Sequence, residues 1–134
     1  MKTLKRIGIG IIILPFALIG LYILYELVGY AVNHISTDRQ TSRLQKDLTA
    51  AVQDIDVISA ESWTGNTGNG NHVECVSTVK FKSKMTKSEI TEALGDNYVS
   101  DDTLLGARLN ENEDGDYEFK LITAAPFSDN IEGH

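Results

Sequence analysis

The chain has 134 residues and a single cysteine, so it can form one small domain and no intramolecular disulfide. Its net charge of −7 is unevenly spread: Lys2, Lys5 and Arg6 lie at the start, whereas nine Lys/Arg face eighteen Asp/Glu after Asn33. So acidic a domain argues against nucleic acid and anionic headgroups as its partners.

Residues 1–6 read as a basic tail and residues 7–33 as a membrane anchor. Ile7 to Leu24 carries no charged side chain, and a helix of that length spans most of a hydrocarbon core about 30 Å thick. The run exceeds the apolar stretch of about 7–15 residues in a cleaved signal, which favours an uncleaved anchor. With the basic flank before it, the tail is expected in the cytoplasm and the rest outside, as a single-pass protein of the cell membrane. Tyr22, Tyr25 and Tyr30 resemble an interfacial aromatic belt. Tyr22, Glu26, Gly29 and Asn33 follow one another by four, three and four residues, which stacks them on one helix face. The leading reading of Glu26 is an interfacial carboxylate near the outer boundary; the alternative is that a polar stripe with a small residue in it suits contact with a second transmembrane helix.

Residues 34–125 read as the extracytoplasmic domain. Leu44, Leu48, Ala51 and Val52 recur at helical spacing and predict an amphipathic helix over Ser36 to Gln53. No Pro or Gly separates it from the anchor after Gly29, so the two either run on as one rod or break at the capping cluster Ser36-Thr37-Asp38, and the break is the favoured form. Asp54 to Trp63 is β-branched and predicts a strand, followed by a Gly/Asn loop from Gly65 to Asn71. Val73, Cys75, Ser77, Val79 and Phe81 then alternate with polar residues, as in a strand with one buried face. Thr86-Lys87-Ser88-Glu89 matches a capping box, Met85 and Ile90 match its hydrophobic staple, and Gly95 suits the helix end. Thr103 to Leu109 and Asp116 to Ala124 predict a second strand pair around an Asn110 to Gly115 turn. Residues 126–134 read as a polar tail, with Pro126 ending the last strand and Ser128 to His134 expected to fray.

These elements give an α+β fold, a transmembrane helix followed by a domain in the order α-β-β-α-β-β. Its preferred form is one four-stranded antiparallel sheet with both helices on one face and the odd-numbered side of each strand buried. Membrane helix, amphipathic helix and sheet in succession resemble the general plan of pilin-like proteins. The N-terminus lacks their cleavage motif, and none of their function is carried over.

Catalytic or metal chemistry finds little support. Asn110 to Asp116 begins like a calcium loop, but Leu121 stands where the closing Glu belongs, leaving weak calcium binding at most. His72 and Glu74 lie on the strand face opposite Cys75, which reads as a small core residue. His34 and His134 have no motif around them, and no phosphate-binding glycine pattern occurs. No enzyme and no cofactor is expected. The leading expectation is a membrane-anchored module that binds another membrane or envelope protein. The alternative is a small-ligand or ion sensor with Trp63, Asn69, Asn71 and His72 as its rim.

Overall fold

A computed structural model describes residues 2–68, 70–98 and 105–134, with side chains from Ile12 onward. The elements are helix α1 (Lys2–Ala51), strands β1 (Asp56–Gly65) and β2 (Glu74–Lys82), helix α2 (Lys87–Leu94), and strands β3 (Gly106–Glu111) and β4 (Tyr117–Ala124). Short 3-10 turns follow α2 at Gly95–Tyr98 and close the chain at Ile131–Gly133. The fold is α+β, with one antiparallel sheet in the order β1-β2-β4-β3.

The expected break at Ser36-Thr37-Asp38 does not occur. Anchor segment and amphipathic segment form one helix of 50 residues, with Pro15 inside it, about 75 Å long at 1.5 Å per residue. Thr37 is fully buried and gives its hydroxyl to the Asn33 carbonyl at 3.0 Å, a bond within the helix that replaces the capping role its type suggests. The helix is long and apolar enough to cross a membrane. Its apolar part stands free of the sheet: Ile12, Phe16, Leu21, Leu24 and Leu27 are all more than half exposed.

The other half of α1 lies on the sheet. Leu44, Leu48 and Val52 join Val79, Phe81, Ile90, Leu94, Leu109, Tyr117 and Phe119 in the main core, so both helices pack on the same face. α2 begins as its capping box predicts, with the Thr86 side chain on the Glu89 amide and Glu89 reaching back to the Thr86 amide at 2.7 Å. Those bonds from the Thr86 amide and hydroxyl hold the Glu89 carboxyl below its ordinary value. The helix ends at Gly95, whose φ of +61 favours glycine.

β1 departs from the expected face assignment. Its register shifts between Val57 and Ser59, a bulge at Ile58, which moves the inward side from odd to even numbers. Val57 stands opposite Phe81, whereas Ser62 stands opposite Ser77 and Thr64 opposite Cys75. Trp63 therefore lies on the outer face opposite Val76 and is 48 % exposed. On β2 the expected side holds, with Val79, Phe81 and Cys75 buried. The third expected strand began at Thr103, and Thr103 and Leu104 lie outside the described residues.

The C-terminal residues are hydrogen-bonded to the fold. Val73 donates its amide to the Ser128 carbonyl and accepts from the Ala125 amide, which continues the β2–β4 pairing into residues 125–128. Asn130 caps the final turn through the Glu132 amide and is 1 % exposed. Polarity alone suggested solvent, but these polar groups are bonded to the fold.

Candidate functional site

The face Tyr22, Glu26, Gly29, Asn33 has an occupant within the chain itself. Asn33 is fully buried, its side-chain amide donating to the Phe127 carbonyl at 2.9 Å while its oxygen accepts from the Phe127 amide at 2.9 Å. A side-chain amide facing a backbone amide in this way satisfies both donors and both acceptors. Asn130 donates to the Glu26 carbonyl at 2.9 Å and to its carboxylate at 2.8 Å, and the Ile131 amide reaches the same carboxylate oxygen at 2.9 Å. Gly29 lies beneath this contact, where a Cβ would stand 2.7 Å from the Asn130 side-chain nitrogen and 3.2 Å from Phe127. Tyr25 meets the Phe127 ring edge to face at 5.6 Å.

One turn further, His34 Nε2 lies 2.8 Å from Glu132 Oε1, and His72 Nδ1 lies 3.3 Å from Asp129. The second Glu132 oxygen is buried with no hydrogen-bond partner among the described residues. Residues 127–132 thus clasp α1 at the end of its exposed apolar part. Tyr22, the fourth member of the stripe, remains 58 % exposed.

Between clasp and core lies a polar layer that the helical pattern did not reveal. Thr37 meets Thr64 at 2.6 Å, and Thr41 bonds to Ser77 at 2.8 Å and to Ser62 at 2.9 Å. Gln40 donates to the Cys75 carbonyl and accepts from the Thr123 hydroxyl. A signal was present, since the inward strand positions Ser62, Thr64, Ser77 and Thr123 are small hydroxyl residues. The bulge at Ile58 hid it for Ser62 and Thr64. These directional bonds fix the rotation and height of α1 on the sheet, which apolar contacts alone leave looser.

Beside this layer runs a groove of 610 Å³ along α1, from Ser36 past Arg39, Gln40, Arg43 and Leu44 to Asp47, with Tyr98, Leu121 and Thr123 opposite. Tyr98 closes its far end by donating to Asp47 at 2.6 Å. Burial, and then the Asp47 carboxylate, push the Tyr98 hydroxyl well above its ordinary value.

No family model, curated protein or solved structure shows a significant match to this chain. Of the expected ligand rim, Trp63 lies along Gly65 on the outer sheet face, His72 pairs with Asp129, and Asn71 is exposed. Asn69 falls outside the described residues. The Asn110 to Asp116 segment is a β-hairpin turn in which the Asn112 amide bonds to the Asp116 carbonyl at 2.8 Å. Asp116 also pairs with Lys82 at 3.7 Å. Among the described residues no three metal-ligating side chains converge. Cys75 is buried at 1 % exposure, in a small cluster with Val73 and Ala125.

Proposed function

We propose that the chain is a single-pass membrane protein whose extracytoplasmic domain binds another membrane or envelope protein through the β1 side of its sheet. The observation that carries this reading is the continuity of α1, whose exposed apolar part runs without a joint into the core. From Ile7 to Glu26 the helix advances about 28 Å, close to the hydrocarbon thickness of about 30 Å, a match that supports an outer boundary at the clasp. An anchor of this kind holds the domain at one height and rotation, so a surface on it is presented to neighbours in a defined direction.

The surface is the free edge of β1. It is a strand of ten residues, paired among the described residues only with β2, and it exposes Ile58 at 52 % and Trp63 at 48 %. Long open edges are usually shortened or covered, because their free amides and carbonyls accept a further strand. Asp56 and Glu61 lie on the same strand, so the reading calls for an extended segment with basic side chains. A photo-crosslinker at Ile58 in intact cells should give one dominant protein adduct, and the same group on the opposite edge strand at Asn110 should give none. Equal labelling from both positions, or adducts with lipid alone, would refute the surface. A reporter that works only in the cytoplasm should be silent when fused after His134, and a mature N-terminus at Val32 would overturn the uncleaved anchor.

A further inference from the structure

Arg39 and Arg43 stand one helical turn apart on the wall of the groove along α1. Acids outnumber bases two to one after Asn33, and Lys80, Lys82 and Lys84 each have a carboxylate within 4 Å. Arg39 and Arg43 make no hydrogen bond or ion pair among the described residues. Like charges at this helical spacing repel each other; Asp47, one turn beyond Arg43, offsets part of that repulsion, and a bound anion would relieve the rest.

Ser36 and Asn97 add polar lining to the groove, and several of its other residues are already bonded or apolar. Gln40 is bonded to the Cys75 and Leu121 carbonyls, to Ser77 and to Thr123. Asp47, the acid that lines the groove, accepts from Tyr98. Leu44, Leu121 and the Tyr98 ring supply apolar surface. At 610 Å³ the space has the size of a small-molecule site.

We infer that this groove binds a small soluble organic anion, with a phosphate or carboxylate head between Arg39 and Arg43 and an apolar body against Leu44, Leu121 and Tyr98. Guanidinium groups suit such a head because each offers two parallel donors to a pair of oxygens. A bilayer lipid is a poorer source of the anion. Arg39 stands thirteen residues beyond Glu26, about 20 Å along the helix axis and past the headgroup layer if the clasp marks the boundary. The site is separate from the β1 edge, and the inference stands whether or not that edge binds a protein.

The test uses the full chain in phosphatidylcholine nanodiscs with para-fluorophenyl phosphate as probe, followed by fluorine NMR. Saturable binding is expected, weakened roughly tenfold by Arg39→Gln or by Arg43→Gln. Both side chains are exposed, so neither change threatens the fold. Lys120→Gln removes the same charge from the outer sheet face and should leave the affinity unchanged. Para-fluorobenzylamine should not bind. Absence of saturable binding, or equal losses in all three variants, would overturn the site. Displacement of the probe by phosphatidylglycerol placed in the disc would overturn the assignment to a soluble ligand.

Discussion

Replacing Asn33 by Ala tests the clasp at its best-defined point. The native side chain is fully buried and makes two 2.9 Å bonds to the Phe127 backbone. Ala leaves that amide and that carbonyl unpaired in the contact, or obliges residues 127–132 to lift away and find water. Each lost bond is worth about 1 kcal/mol net, so the closed position of the segment should weaken by about 2 kcal/mol. That corresponds to roughly 30-fold faster hydrogen exchange at the Phe127 and Ile131 amides, which act as donors to Asn33 and Glu26. Exchange measured on the full chain in nanodiscs would read this directly. The main core contains no residue beyond Leu121, so amides of β2 opposite β4 should keep most of their protection. Gly29→Ala should act in the same direction without removing a bond, because its Cβ would stand 2.7 Å from the Asn130 nitrogen. Native protection at Phe127 and Ile131 in both variants would refute the clasp.

Thr86→Ala should lower the stability of the domain by about 1 kcal/mol in urea unfolding. The Glu89 carboxyl is held below its ordinary value, so the stability it adds is present at neutral pH and lost as pH falls through the carboxylate range. The Thr86→Ala difference should therefore shrink in acid. Tyr98 runs the other way: its hydroxyl is raised above the ordinary 10.0, so its contribution is complete below that pH and lost above it. Tyrosinate absorbance should show Tyr98 ionising late, and Tyr98→Phe should lose stability less steeply at high pH; parallel pH profiles would contradict the Tyr98 to Asp47 bond. Cys75 should resist a bulky thiol reagent until the domain unfolds, and rapid labelling of the native chain would reverse its inward placement. Gly65 combines a φ of +155 with a Cβ position 2.8 Å from the Trp63 ring, so Gly65→Ala should displace the indole and shift its fluorescence.

Local signals in this chain were reliable where the physics is local. Eighteen uncharged residues mark the apolar part of α1, Thr86 and Glu89 mark the start of α2, Gly95 marks its end, and the alternation from Val73 to Phe81 gave the buried side of β2. Each depends on neighbours within a few positions, so the sequence by itself determined them. What required the tertiary structure lay in residues whose chemistry allows two uses. Thr37 can cap a helix or bond within one, and only the Thr64 hydroxyl across the interface settles which. Ile58 fits a regular strand as well as a bulge, yet the bulge turned Trp63 outward and brought Ser62 and Thr64 beneath α1. The stripe of Glu26, Gly29 and Asn33 was legible as a surface prepared for contact, but its occupant was not. Spacing along a helix records that a face needs polar partners, whereas residues about a hundred positions away in the chain supply them, and only the folded chain brings the two together.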